Sequence, residues 1–266
     1  MTADGVRSEE IDTSRPHPAR IYDYLLGGKD NYEVDQRAGD ELAAAAPEVR
    51  IGLRANRAFL RRAVRHVVTE GGIRQILDIG TGLPTSPNVH EIALDAAPDV
   101  RVAYVDNDPI VKSHGDALLS SEGATSIVLG DLRDPRAIVE HPDIRRIIDF
   151  DEPVALLLVA IVHFLTDAEK PEETIATLRD ALAPGSFLVL SHATGDFADR
   201  TAAQAVYNKA TATLNLRSRT EIERFFNGFD LITPGLSQAP FWRPDSPPPP
   251  GSEQIGFYGG VARKSA

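Results

Sequence analysis

Gln75-Ile76-Leu77-Asp78-Ile79-Gly80-Thr81-Gly82, followed by Val102-Ala103-Tyr104-Val105-Asp106-Asn107-Asp108, decides the fold. The first stretch is a short apolar run that carries an acid and ends in two closely spaced glycines. A buried parallel strand turning sharply into a helix has this pattern, because glycine admits left-handed angles and lets the backbone approach a ligand closely. The second stretch is another apolar strand, with Asp106 at its carboxyl end. A carboxylate there can accept both hydroxyl protons of a ribose. Together the two predict a nucleoside-binding α/β unit.

The pattern extends in both directions. Strand-like runs occupy Gln75–Ile79, Arg101–Val105, Ser126–Leu129, Val154–Val162 and Phe187–Ser191. Helical segments lie between them at Asn88–Ala96, Pro109–Leu119 and from Thr166 to Leu182, the last opened by Thr and Asp caps and closed by Pro184-Gly185. Apolar strands alternating with helices imply a parallel sheet covered on both faces. Farther on, a helix is expected at Thr220–Asn227. Asp230–Thr233 and Gln254–Arg263 follow without a helix between them, as an antiparallel pair at the sheet edge.

Ahead of this unit the texture differs. Residues 1–15 are polar and without periodicity, and read as a disordered tail. Residues 16–52 read as a helical arm, with a short helix at Arg20–Leu26 stopped by Gly27-Gly28 and an alanine-rich one from Asp35 to Ala46. An amphipathic helix from Leu53 to Thr69 then opens the main domain, residues 53–266. Leu60, Ala63, Val64, Val67 and Val68 recur on it at three- and four-residue spacing.

Composition narrows the partners. A net charge of −11 argues against bulk nucleic acid, whose phosphates need a basic footprint. The cluster Arg57, Arg61, Arg62 and Arg65 reads as a solvated helix face. With no cysteine, disulfides, thiolate metal sites and cysteine nucleophiles are excluded, and no histidine spacing predicts a metal. No run approaches the roughly 18 apolar residues of a membrane span, and the polar first residues lack a secretory core. The expected location is the cytoplasm.

The glycine motif discriminates among nucleoside ligands. The dinucleotide fingerprint G-x-G-x-x-G fails, because its third glycine position holds Thr85. The shorter G-x-G-x-G form holds Pro84, which offers no N–H. S-adenosyl-L-methionine tolerates this better than NAD does, having no pyrophosphate to seat on a helix N-terminus. Asp78, Gly80, Thr81 and Gly82 are therefore candidates for the cofactor, with Asp106 and Asn107 at the ribose. Asp131 and Leu132, just after the third strand, can meet an adenine amino group and ring nitrogen. Ala160 and Ile161 fall at the carboxyl edge of the fourth strand. His163 beyond them is a candidate general base. Tyr22, Tyr24, Asn31 and Tyr32 crowd around Gly27-Gly28 as candidate lid residues, and His192 follows the fifth strand as a further group to face a substrate.

Beyond these single motifs, Arg15-Pro16-His17-Pro18-Ala19-Arg20-Ile21-Tyr22-Asp23-Tyr24-Leu25-Leu26-Gly27-Gly28-Lys29-Asp30-Asn31-Tyr32, Asn56-Arg57, Leu77 to Thr85 and Val105-Asp106-Asn107-Asp108-Pro109 resemble an actinobacterial family of candidate S-adenosylmethionine-dependent methyltransferases, long catalogued only as a domain of unknown function. The likeness runs from about residue 13 to the end. It implies the Rossmann-like fold of that superfamily: a seven-stranded, mostly parallel sheet with an antiparallel last strand and helices on both faces. It also implies that Gly80 and Gly82 border the methionine moiety, Asp106 the ribose, and Asp131 with Leu132 the adenine. It supplies no substrate.

The expected activity is methyl transfer to a small-molecule acceptor. The alternative is a degenerate relative that binds S-adenosylmethionine or its demethylated product and acts through a partner. An NAD-dependent oxidoreductase is disfavoured by Thr85 and by the lack of a Tyr-x-x-x-Lys pair on a helix.

Overall fold

The structure is a computed structural model that describes residues 12–119 and 125–265. Residues 1–11 of the expected tail lie outside the described residues. Helices α1 (Pro18–Leu26), α2 (Glu33–Ala45) and α3 (Val49–Thr69) lead into the alternating unit: β1 (Gln75–Ile79), α4 (Val89–Ala96), β2 (Arg101–Asp106), α5 (Pro109–Leu119), β3 (Thr125–Leu129), α6 (Pro135–Glu140), α7 (Pro142–Ile147), β4 (Ala155–Val159), α8 (Pro171–Ala181) and β5 (Phe187–Ala193). The chain closes with α9 (Thr201–Tyr207), α10 (Arg219–Arg224), β6 (Asp230–Leu231), β7 (Ser237–Gln238) and β8 (Phe257–Arg263). Helices α6 and α7 went unread in the sequence, although each starts with a capping residue and a proline, Asp134-Pro135 and His141-Pro142.

One sheet runs in the order β3-β2-β1-β4-β5-β8-β6, with β7 also paired to β8. Strands β1 to β5 are mutually parallel, and β8 is antiparallel to β5. The described residues thus contain eight strands rather than the expected seven, because the strand before the last is broken. Asp230 pairs with Arg263 and Ser237 with Gly259 on the same flank of β8. Between the two pieces, Pro234 lacks a ladder donor and Gly235 turns the chain at φ +83°.

The two faces of the sheet follow the strand alternation. Ile76, Val102, Leu157 and Val189 point to a layer formed by α3 and α4, including Phe59, Val64, Val67 and Ile92. Leu77, Ala103, Leu156 and Leu190 point the other way, to Ile144 of α7, Leu178 of α8 and Ile222 of α10. A third cluster joins the N-terminal helices to the top of the sheet. Ile21, Leu25 and Leu42 pack with Leu53, Ala193, Ala203 and Tyr207. The first two helices therefore sit over the carboxyl edge, where ligands of open α/β sheets bind.

Candidate cofactor and acceptor site

The carboxyl ends of β1 to β4 converge on one cavity of about 400 Å³, roofed by α1 and the α2–α3 corner. Gly80 leaves β1 at φ +75°, and a Cβ there would stand 2.5 Å from Ile161 on the turn after β4. The bare glycine lets these two strand ends touch. Gly82, at φ +68°, has nothing within 4 Å of the place its Cβ would take, so the backbone is open to a ligand there.

Asp106 closes the floor. Its Oδ2 accepts the Gly82 N–H at 2.8 Å and its Oδ1 the Asp108 N–H at 3.0 Å. Each oxygen keeps a further lone pair for hydroxyls in the cavity. Burial pushes this carboxyl up to about 6, against the pull of those backbone donors. Asp78 behaves alike. Burial raises it to about 7, opposed by the Arg57 guanidinium and the Thr81 hydroxyl. Two buried acids without a full ionic partner favour a cationic ligand between them.

Asp131 lies at the rim, where its Oδ2 accepts from Arg133 Nη1 at 2.8 Å and Asn107 Nδ2 at 3.3 Å, while Leu132 is buried beneath. Ala160 takes left-handed angles, φ +57°, with its N–H shared between the Ser191 Oγ and carbonyl at 3.0 and 3.2 Å. Such strain in a non-glycine residue at a strand end belongs to sites rather than to scaffolding. Asp78, Gly80, Thr81, Gly82, Asp106 and Asn107 all line this cavity; Asp131, Leu132, Ala160 and Ile161 do too.

The other expectations divide. His163 lines the cavity, but its Nδ1 accepts the Ala193 N–H at 3.3 Å. Burial, with His192 and Arg217 nearby, drives its pKa well below the usual histidine range. The ring is neutral and carries its proton on Nε2, so it is a donor rather than the base expected from the sequence. His192 is fully buried on the far face of β5. It is held between its own Ala193 carbonyl and Arg217, and does not reach the cavity.

Of the four lid candidates only Tyr22 lines the cavity, its hydroxyl donating to the Leu53 carbonyl at 3.2 Å. Tyr24 bonds Asp40, Asn31 bonds Asp23, and Tyr32 is exposed outside. That polar cluster satisfies its own turn. Arg57, expected on a solvated face, instead lines the cavity and donates to the carbonyls of Thr85 and Pro87 at 2.7 and 2.9 Å. Arg62 is likewise spent on the carbonyls of Trp242 and Ala239.

The clasp that holds the roof was also unread. Buried Arg20 of α1 reaches Asp108 Oδ2 at 3.1 Å, two residues from Asp106, while Asp108 Oδ1 caps α5 through the Ile110 N–H at 3.0 Å. Asp108 thus serves as the helix cap and joins the arm to the Asp106 end of the floor.

With this geometry in hand, the likeness to known proteins is specific. Residues 4–265 match the model of a family described as S-adenosyl methyltransferase. The chain belongs to the S-adenosyl methyltransferase family. A crystal structure of a DUF574 family protein from Streptomyces avermitilis is 44% identical, covers 96% of this chain and 100% of its own, and superposes with a TM-score of 0.91. A candidate methyltransferase from Thermobifida fusca is 40% identical, with 97% and 98% covered and a TM-score of 0.91. The N-methyltransferase NodS from Bradyrhizobium japonicum, 15% identical over 80% of this chain and 98% of its own, shares the fold at a TM-score of 0.51. No curated protein matches the sequence significantly.

The enzyme is a methyltransferase, and S-adenosyl-L-methionine is its cofactor. The residues present suit that molecule: open backbone at Gly82, a buried carboxyl with spare lone pairs at Asp106, and at Asp78 a buried carboxyl that Arg57 and Thr81 compensate only in part. Among the described residues no group of His, Cys, Asp and Glu is arranged for a metal. No described helix is long and apolar enough to cross a membrane.

Proposed function

We propose that this methyltransferase modifies a small molecule held between the cofactor floor and the N-terminal helices. The observation that carries the reading is the continuity of the cavity: it runs from the cofactor candidates on β1 to β4 into a chamber walled by Leu42, Leu53, Phe164 and Leu214. A cavity of about 400 Å³ that must also hold the cofactor leaves room for a small acceptor rather than a polymer.

Bound S-adenosylmethionine supplies a methyl group on a positively charged sulfur, moved in one in-line displacement. The protein's part is to hold and to exclude. Asp106 accepts the ribose hydroxyls, Asp131 and the Leu132 N–H meet the adenine, and Gly80, Thr81 and Gly82 border the methionine part. Ala160 and Ile161 form the edge on which the reacting groups meet, with Asn107 at the rim. Asp78 faces the cationic end. Residues 16–52 act as a lid through Tyr22 and Leu42, keeping water from the acceptor so that positioning supplies most of the rate.

Calorimetric titration of ligand-free protein with S-adenosylmethionine, S-adenosylhomocysteine and NAD tests the reading. Micromolar binding of the first two, at least tenfold weaker in Asp106→Ala, is expected. A folded wild-type protein that binds neither adenosyl ligand sinks it.

A further inference from the structure

The chamber beside the cofactor candidates has a sharply defined chemistry. Its walls are apolar, and the charged side chains on the arm side are spent. Glu48 and Arg200 bond each other, and Asp23 Oδ2 accepts from the Asp30 N–H at 3.0 Å and from Asn31 Nδ2 at 2.7 Å. The Tyr22 hydroxyl is occupied too, between the Leu53 carbonyl and Asn56 Nδ2.

Two polar groups are left over. Tyr207, on α9, is 7% exposed and lines the chamber next to Tyr22, yet its hydroxyl has no hydrogen-bond partner among the described residues. His163, 4% exposed, uses Nδ1 on the Ala193 N–H, and its Nε2 likewise has none. Neither atom is sealed in packing, so both open on the cavity. A buried hydroxyl without a partner is costly, and a protein retains one where a ligand completes it.

We propose that the acceptor is an uncharged, largely apolar molecule whose oxygen takes hydrogen bonds from Tyr207 O–H and His163 Nε2–H. The inference rests on the chamber being the acceptor site. Arg57 is turned to the carbonyls of Thr85 and Pro87 beside Asp78. On the arm side an anionic acceptor would therefore meet no unpaired cation and a cationic one no unbonded carboxylate, and either charge would be desolvated with little compensation. A neutral ring system with one oxygen fills apolar space and satisfies both donors.

The test uses three probes with one ring system: 2-naphthol, naphthalene-2-carboxylate and 2-(aminomethyl)naphthalene in its ammonium form. Each is titrated into full-length enzyme already saturated with S-adenosylhomocysteine, whose own isotherm is recorded first. The naphthol should bind about tenfold or more tightly than either charged probe. Tyr207→Phe should weaken the naphthol about five- to twentyfold while leaving the S-adenosylhomocysteine isotherm unchanged and the ligand-free melting temperature the same or higher, since the hydroxyl has no internal bond to lose. A charged probe binding as tightly as the naphthol, a Tyr207→Phe variant that holds it as well as wild type, or no binding of any probe overturns the proposal alone. The probe ranking in wild-type enzyme decides even if the variant misfolds. Failure of S-adenosylhomocysteine itself to bind overturns the cofactor reading, and this proposal with it.

Discussion

Replacing Asp78 with asparagine should stabilise the ligand-free enzyme at alkaline pH while weakening its hold on S-adenosylmethionine. Burial raises this carboxyl from 3.8 to about 7. A folded-state pKa above the unfolded one means that ionising the group opposes folding. The favourable contribution is full below the unfolded value and is lost as pH rises through the folded one. By linkage the opposing energy is about 0.6 kcal/mol at pH 4 and grows to roughly 4 kcal/mol above pH 8. Asparagine keeps the shape and never ionises. Its amide oxygen can still accept from Thr81, and the pull of Arg57 on the ionised carboxyl is already contained in the value of about 7. The net expectation is a variant about 4 kcal/mol more stable than wild type at pH 8.5, falling to about 1 kcal/mol or less at pH 4.5.

Urea denaturation of both ligand-free proteins across that pH range measures the widening gap directly. Calorimetry with S-adenosylmethionine at pH 8.5 should show the variant binding about tenfold more weakly, because the cationic ligand loses its compensating charge. In wild type, that affinity should itself fall as pH drops through about 7 and Asp78 takes up its proton. A stability difference that does not change with pH would refute the argument. It would mean that Asp78 is ionised at ordinary cost, and that the site does not store negative charge for its ligand.

Two further substitutions probe the floor and the roof. Gly80→Ala forces a side chain onto φ +75° and against Ile161, so a loss of about 2–4 kcal/mol in the same denaturation assay is expected, with weaker S-adenosylhomocysteine binding. Arg20→Met strands the buried carboxylates of Asp108 and Asp35, which should cost about 3–5 kcal/mol. Limited proteolysis should then cut first within residues 16–32, and an unchanged digestion pattern would show that the clasp does not hold the arm.

The sheet, and the gathering of the cofactor candidates at its edge, were legible in the sequence because both depend on local pattern. Short apolar runs, a glycine turn and an acid at a strand end carry their meaning within a few residues. The acceptor chamber is built differently. Tyr207 and Arg200 belong to a stretch with no motif, and reach the site only because α9 packs under α1 and α2. Arg57 carries the charge pattern of a solvated helix face, and nothing local reveals that this face ends over Asp78. His192 fails for a simpler reason, the two-residue period of a strand. Ser191 and Ala193 point toward the arm, where Ser191 Oγ donates to Asn56 at 2.6 Å, so His192 must point to the opposite face.

This parity gives the histidines distinct parts. Arg217, buried, donates to His192 Nε2 at 3.1 Å, to the Leu165 carbonyl at 2.9 Å and to Asp167 at 2.7 Å. His192 is thereby fixed with its proton on Nδ1, toward the Ala193 carbonyl. The Ala193 N–H in turn faces His163 Nδ1 and leaves the His163 proton on Nε2, in the chamber. A histidine that looked like a second substrate contact instead helps set the tautomer of the one that lines the site. The chain of donors runs from a buried cation to the acceptor chamber. It leaves His163 a donor across the pH range in which a free histidine would titrate. Acceptor binding should accordingly show no inflection from His163 near the ordinary histidine value, and the pH dependence that remains belongs to Asp78 and Asp106.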